Sequence, residues 1–504
     1  MASFLVAAVS SFGLILVSIY AFQLITSARR RLPPGPLPLP LVGNLLAIGR
    51  GIPHRSLARL ASRYGPLMSL RLGVVPAVVV SSATAAREIL QRHNADLADR
   101  PLIDVWLANG HRADSIISLP PHAKWRAMRR LCATELFSTG RLDSLRPLRQ
   151  RKVEEMVGHV AKLAELGEPV AVREPVFTAA MNILTRTMFS VDLDDPASSP
   201  AGGGRGLHEA VKEATILAAT PNVSDFFPAI AAADLQGLRR RMAPLVTDAR
   251  RVLDELFARR VLDREAGESP KNDMLDAVLD KEHEWQHEGS VINRKAIKGL
   301  FSDIFVAGSD TSSTTIEWAM AALLNNPRVM EKVKGELKSV LGHKTQVEES
   351  DIAQLPYLQA VVKEVLRLYP SVATSFYRAE ATVQLQGYTI PQGTTIILNI
   401  WAVHRNPDVW DDPEKFMPER FMDGDTDFSS KDCRLIPFGG GRRICIGFPL
   451  AYRTVHLILA SLLHRFDWIL PEETSKNGVD MTEKYGLVIS MANPLKAIAK
   501  KRYL

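Results

Sequence analysis

Apolar residues recur with a helical period over most of the chain. Thr84 to Arg92, Arg239 to Arg260, Arg294 to Asn325, Val329 to Leu341, Tyr357 to Tyr369 and Leu450 to Leu463 are predicted as helices on this pattern. Strand-like alternation is confined to Leu67 to Leu72, Ala77 to Val80, Thr382 to Ile390 and Thr394 to Leu398. The expected class is mainly α with a minor β part. Hydrophilic breaks at Ser198 to Gly206, Asp263 to Asn293 and Met422 to Asp432 read as surface loops within one body. There is no internal repeat.

One apolar run stands apart. Residues 2 to 28 carry no Asp, Glu, Lys or Arg, and Phe4 to Ile25 is dominated by Phe, Leu, Val, Ile and Ala. As a helix, that run spans roughly 33 Å, enough for a hydrocarbon core. Arg29-Arg30-Arg31 follows the run instead of preceding it. That order leaves the remainder of the chain on the cytosolic side and fits an uncleaved anchor better than a secretory signal. Leu32-Pro33-Pro34-Gly35-Pro36, with Pro38 and Pro40, then forces extended backbone. The expected organisation is an anchor over 1–28, a basic and proline-rich hinge over 29–45, and a catalytic body over 46–504.

Composition narrows the classes. Of 504 residues, 46% are hydrophobic and 23% charged, a balance that excludes intrinsic disorder. A net charge of +7 suits an anionic membrane surface or an acidic partner and makes no demand for nucleic acid. Three cysteines, Cys132, Cys433 and Cys445, with no CxxC, argue against a disulfide framework or a structural zinc site. A single cysteine in a special context is then a candidate ligand or nucleophile.

Cys445 has such a context: Phe438-Gly439-Gly440-Gly441-Arg442-Arg443-Ile444-Cys445-Ile446-Gly447. Glycines permit tight turns that can aim amide N–H groups at the sulfur. Two neighbouring arginines and the start of a helix at Phe448 favour a thiolate. These features also fit a glycine turn around a buried cysteine. Phe438, Gly441, Arg443, Cys445 and Gly447, however, match F-x-x-G-x-R-x-C-x-G at every fixed position, so the segment resembles the haem-binding loop of the cytochrome P450 family. The resemblance implies that Cys445 is the axial thiolate ligand of haem b iron and that Arg443 pairs with a haem propionate.

Three further elements carry the same resemblance. Glu364 and Arg367 share a helix face, which alone fits a surface ion pair. With Pro418-Glu419-Arg420-Phe421 downstream they look like the family's E-x-x-R and P-E-R-F elements. The implication is a buried structural triad of Glu364, Arg367 and Arg420. Ala307-Gly308-Ser309-Asp310-Thr311-Ser312-Ser313-Thr314-Thr315 is a poor helix interior, which marks a kink, a functional site or a Thr/Ser-rich interhelical contact. It is similar to the family's A/G-G-x-D/E-T-T/S pattern, implying that Ala307 and Gly308 make room for dioxygen while Asp310 and Thr311 relay protons. Trp125 and Arg129 match W-x-x-x-R, and Arg378 sits where a further propionate-binding arginine is often found. Lys124, Arg126 and Arg130 would make a basic docking face for an acidic NADPH-cytochrome P450 reductase.

His283-Glu284-Trp285-Gln286-His287 satisfies the zincin pattern H-E-x-x-H, and a membrane-anchored zinc peptidase is the remote alternative. The motif lies in a charged stretch with no identifiable third ligand, so a surface segment is expected there. The resemblance covers the whole chain. Asn222 to Pro228 and Asp234-Leu235-Gln236-Gly237 look like the plant microsomal, geraniol-hydroxylase-like branch. Two positions depart from the pattern. Ile446 replaces a usual proline after the cysteine, and Ser371 to Tyr377 replaces a proline-rich stretch that lines the family's substrate pocket. The expectation is a single-pass, endoplasmic-reticulum monooxygenase acting on a small apolar terpenoid, with a phenolic or alkaloid as the rival substrate. Expected pocket segments are 102–117, 215–227, 301–307, 372–376 and 486–489.

Overall fold

The computed structural model describes residues 4, 31–49, 51–192, 203–287, 291–422, 424, 426–428 and 431–502, the side chains of 203–209 and 283–287 excepted. The expected anchor over 1–28 lies outside the described residues but for residue 4. Among the described residues no helix is long and apolar enough to cross a membrane.

The fold is built around these helices: α1 (Ala123–Leu131), α2 (Arg146–Leu166), α3 (Arg173–Phe189), α4 (Leu238–Glu265), α5 (Met274–His287), α6 (Arg294–Asn325), α7 (Pro356–Leu368) and α8 (Phe448–Arg465). The axis of the molecule is α6. Asn293 caps it, its side chain accepting from Ala296 N at 2.9 Å. Beyond its exposed start its apolar residues occur all round the helix, and it packs against α3, α7 and α8. Phe189 of α3 meets Phe301 of α6 edge-on at 5.0 Å. Trp318 stacks on Tyr369 at 4.7 Å and donates its ring N–H to Ile489 O at 3.0 Å. A fully buried aromatic of this kind contributes on the order of 2–3 kcal/mol through its removal from water.

A four-stranded sheet flanks the helices, formed by β1 (Leu67–Leu72), β2 (Val75–Val80), β3 (Thr374–Arg378) and β4 (Thr395–Asn399) in the order β1-β2-β4-β3. β2 and β4 run parallel and the other pairs antiparallel. The proline-rich segment lies along β1: Ser69 N donates to Pro34 O at 2.9 Å and Ser69 Oγ to Pro33 O at 2.7 Å.

The elements differ from the sequence pattern in identifiable places. The predicted strand over Thr382 to Ile390 is a hairpin of Val383–Leu385 and Tyr388–Ile390. Its turn uses Gln386 and Gly387 at φ 49° and 81°, the positive values that a two-residue hairpin loop needs. The predicted helix over Thr84 to Arg92 is α-helical to Arg87 and then widens into a π turn. Most of the expected loop over Asp263 to Asn293 is helix: α4 runs on to Glu265 and α5 fills Met274–His287. Met274, Leu275, Val278 and Leu279 form a buried stripe, which Asp276 and the charged run from Asp280 to Glu282 masked in the sequence pattern.

Candidate active site

The loop before α8 is shaped by its glycines. Gly441 has φ 61°, and a Cβ there would lie 2.3 Å from Leu90 O and 2.7 Å from Asn94 Oδ1. The loop can therefore press onto the preceding layer, where Arg442 N donates to Asn94 Oδ1 at 2.8 Å. Cys445 N donates to Phe438 O at 2.9 Å and Ile444 N to Gly441 O at 3.2 Å, so the loop closes on itself with Ile446 in place of proline. Phe438 packs on Phe448 at 4.7 Å and on Phe428 at 5.3 Å, fixing its ends.

Cys445 points into a cavity of about 360 Å³. Its surface exposure is exposure to that cavity. Burial pushes its thiol up, while the Gly447 N–H, the Arg129 guanidinium and the Phe448 N–H act in the opposite direction, towards thiolate. The arginine whose charge acts on the sulfur is therefore Arg129 on α1. The neighbouring pair in sequence is directed elsewhere: Arg442 is exposed, and Arg443 turns to Ala98 O, Ile116 O and Leu119 O.

Ala307, Gly308 and Thr311 line the cavity from α6, and Phe438, Arg443 and Gly447 from the loop. A Cβ on Gly308 would meet Leu184 Cδ1 at 2.7 Å, so this glycine also lets α6 approach α3 closely. Gly441, Trp125, Arg129, Arg378 and Asp310 are not among the lining residues. Of the expected pocket segments, 301–307 and 372–376 contribute Ile304, Ala307, Val372 and Ser375, while 102–117, 215–227 and 486–489 contribute none. α3 supplies Ala180, Ile183 and Leu184 in their stead. Side-chain direction around α3 is invisible without its packing partner.

A cluster of cations stands beside the thiol. Arg129 and Arg443 lie 5.1 and 4.6 Å from the centre of the Trp125 ring. Arg129 Nη1 donates to Ile444 O at 3.0 Å, and Trp125 Nε1 to Ile116 O at 3.1 Å. Arg100, which the motif pattern did not single out, lines the cavity, covers the Tyr377 ring at 5.1 Å and has a buried Nε without a hydrogen-bond partner. Burial, then the charge of Arg100, with Arg129 adding to it, holds Arg443 down at about 9. Asp99, whose charge acts on Arg100 and Arg443, forms its ion pair with Arg378 at 3.9 Å. Arg378 is thus directed to Asp99 while Arg100 takes the inward position. Buried guanidiniums that repel each other beside a ligating sulfur fit a metal-bearing group with carboxylates of its own, as haem b has.

The α6 hydroxyls are held by the helix itself. Thr311 Oγ1 donates to Ala307 O at 2.7 Å, Ser312 Oγ to Gly308 O at 3.0 Å and Thr315 Oγ1 to Thr311 O at 2.8 Å. Such back-bonding is how a Thr/Ser-rich stretch stays helical, and α6 runs unbroken through it. Thr315 Oγ1 also meets Ser371 Oγ at 2.8 Å. Asp310 is turned towards α3 and pairs with Arg173.

Glu364, Arg367 and Arg420 come together. Arg367 Nε and Nη2 donate to Glu364 at 2.7 and 2.9 Å, and Arg420 Nε donates to it at 3.1 Å. Arg367 Nη1 donates to His404 O at 2.9 Å, and His404 Nε2 accepts from Ile436 N at 2.8 Å, two residues before Phe438. Burial, then the charges of Arg367 and Arg405, hold His404 down at about 3, so its ring is neutral and free to accept. The triad is thereby tied to the start of the cysteine loop.

The side chains of His283, Glu284 and His287 lie outside the described residues. Among those described, no group of three or more His, Cys, Asp or Glu is placed to hold a metal ion.

A family model described as Cytochrome P450 matches residues 33–497. Oryzalexin E synthase of Oryza sativa subsp. japonica is 44% identical over 478 residues, 93% of this chain and 91% of that protein. Geraniol 8-hydroxylase of Catharanthus roseus is 40% identical over 479 residues, 95% of this chain and 96% of that one. 7-ethoxycoumarin O-deethylase of Helianthus tuberosus is 42% identical over 467 residues, 92% and 93% of the two chains. A match of this extent, on a chain whose cysteine opens onto a largely apolar cavity beside buried arginines, settles the assignment: the chain belongs to the cytochrome P450 family and is a haem-dependent monooxygenase that draws electrons from NADPH through a reductase.

Proposed function

We propose that this enzyme hydroxylates a small, largely apolar terpenoid, in the sense RH + O2 + NADPH + H⁺ → ROH + H2O + NADP⁺. The observation that carries the reading is the cavity wall. Ile183, Leu184, Ile304 and Val372 present hydrocarbon, and the polar interruptions include the hydroxyls of Thr315, Ser371 and Ser375. Ser371 Oγ and Thr315 Oγ1 share their two protons between each other and Thr311 O. Both protons are then engaged while oxygen lone pairs are left over, which suits a substrate that donates an O–H and is otherwise hydrocarbon. Relatives named for geraniol and for oryzalexin E support that class. The relative named for 7-ethoxycoumarin keeps a phenolic ether as the rival.

Haem b, held by Cys445, supplies dioxygen activation and oxygen insertion into a C–H bond. In this reading the protein does the rest. Arg100, Arg129 and Arg443 hold the propionates, the apolar wall orients the substrate and excludes water, and Thr311 Oγ1 carries a proton at the cavity wall. Asp310, paired with Arg173, would exchange protons with the opposite side of α6. Glu364, Arg367 and Arg420 maintain the core.

The same proposal places the enzyme on the endoplasmic reticulum membrane as a single-pass protein, with residues 1–28 as anchor, 29–45 as hinge and 46–504 as the cytosolic catalytic body. Leu37, Leu39, Leu41 and Leu46 stand exposed just after the anchor, and Ile230 and Leu235 are exposed as well. Apolar side chains so close to an anchor suit a lipid surface.

The test is turnover with NADPH, reductase and a panel of terpene alcohols, terpene hydrocarbons and coumarin ethers, run beside Cys445→Ser. Hydroxylated terpene alcohol from the native enzyme, none from Cys445→Ser, and a roughly fivefold higher KM in Ser371→Ala are expected. Oxidation of coumarins with no terpene product would replace the substrate class.

A further inference from the structure

Asp303 sits on α6 two helical turns before Thr311 and is 2% exposed. Its carboxylate gathers three groups from one segment of chain. Oδ1 faces His111 Nε2 at 3.1 Å, and Oδ2 accepts from Ser115 Oγ at 2.7 Å and Ile117 N at 3.2 Å. One turn earlier, a Cβ on Gly299 would fall 2.2 Å from Asp114 O, so the backbone of that segment touches α6 there. The segment is pinned to α6 at two successive turns.

The peptide unit that offers the Ile117 N–H to Asp303 carries the Ile116 carbonyl on its opposite edge. That carbonyl accepts from Trp125 Nε1 at 3.1 Å and from Arg443 Nη1 at 3.4 Å. Because the peptide is planar, fixing its N–H fixes the direction of its C=O. Arg443 Nη2 donates to Leu119 O, and Leu119 N donates in turn to Ser115 O at 2.9 Å. Ser118 N donates to Ser115 Oγ at 3.3 Å, the hydroxyl that Asp303 holds. Two of the three carbonyls that orient Arg443 therefore belong to the turn that Asp303 organises, and the third is Ala98 O.

We propose that Asp303 is a positioning residue for Arg443, acting through the Ser115–Leu119 turn to set the cationic wall against the haem carboxylates. The inference rests on the placement of haem against Arg443. Nothing in it depends on the substrate.

The test uses full-length, haem-loaded protein in detergent and reads haem transfer to excess apomyoglobin, the haem reduction potential and thermal unfolding. Asp303→Ala removes every carboxylate contact and is expected to speed haem loss on the order of tenfold and to shift the potential. Asp303→Asn keeps an acceptor for Ser115 and Ile117 and should stay within about threefold of the native rate. Arg443→Lys should speed loss too, and the double variant Asp303→Ala with Arg443→Lys should lose haem no faster than the worse single variant, since both break one linkage. Should Asp303→Ala fail to fold, Ser115→Ala carries the comparison, with roughly threefold faster loss expected. Lower thermal stability with an unchanged transfer rate and potential would overturn the proposal, as would rate effects that multiply in the double variant. A change in substrate class would leave these readouts where they are. Native protein that binds no haem through Cys445 would remove the family reading itself.

Discussion

The guanidinium of Arg443 lies 4.6 Å from the centre of the Trp125 ring, and both side chains donate to the carbonyl of Ile116. The ring thus supports the arginine from one side while the shared acceptor fixes its tilt. Trp125→Phe keeps an aromatic face and loses the N–H donor, at an expected cost of about 1 kcal/mol. Trp125→Ala also opens a cavity and should cost roughly 3–5 kcal/mol with clear loss of bound haem. Urea unfolding and the haem-to-protein absorbance ratio check both. Equal effects of the two substitutions would show that the aromatic face contributes nothing.

Glu364 accepts from Arg367, Arg420 and Met417 N in a place where the side chains of Glu364 and Arg367 are fully buried. Removing the carboxylate charge leaves two guanidiniums buried against each other. Glu364→Gln is expected to destabilise the fold by about 3–5 kcal/mol and to yield little of the thiolate-type carbon monoxide band. Because the triad reaches the cysteine loop through His404 and Ile436, haem loss should accompany unfolding and not lag behind it. A stable variant with a full thiolate band would break that link.

Thr311 lines the cavity beside Ala307 and Gly308 and donates its hydroxyl proton to Ala307 O. Thr311→Ala should leave haem binding and NADPH oxidation in place and lower the product formed per NADPH by roughly threefold or more, with peroxide making up the difference. Unchanged coupling would remove Thr311 from proton delivery.

Asp225 accepts from Asp104 N at 2.7 Å where the chain folds back over the 104–114 segment. Burial, against that hydrogen bond and with the Asp104 charge adding to it, pushes its carboxyl up to about 6, from an ordinary 3.8. The folded chain therefore binds more protons than the unfolded one between these values, and stability falls as pH rises through that window. Asp225→Asn keeps the acceptor without the charge. It should raise the thermal midpoint by about 1–3 °C at pH 7.5, with the gain fading towards pH 4. A gain of the same size at pH 7.5 and pH 4.5 would contradict the assignment.

Several features were legible in the sequence because they depend on local order. The long helix over Arg294–Asn325 follows from its own apolar period and its Asn293 cap. The cysteine loop follows from glycines whose positive φ values only glycine adopts readily. The partnership of Glu364, Arg367 and Arg420 came from motif resemblance, and their burial turns what would be a marginal surface pair into a requirement of the fold.

Other features were decided by tertiary structure alone. Arg129, Arg100 and Arg443 come from segments far apart in the chain, and which of them acts on the sulfur depends on how α1 crosses the loop. Arg442, next but two to Cys445 in sequence, points to solvent for the same reason. Arg378, expected at the site, is drawn to Asp99, and Arg100, which no motif marked, lines the cavity instead. Asp303 gave no sign of its role, since a carboxylate on a helix becomes a positioning device only when another segment brings its donors to it. The sequence determines which backbone each stretch can adopt and which side chains are available. Charge and hydrogen-bond partnership act over a few ångströms between residues hundreds of positions apart, and only packing creates that proximity.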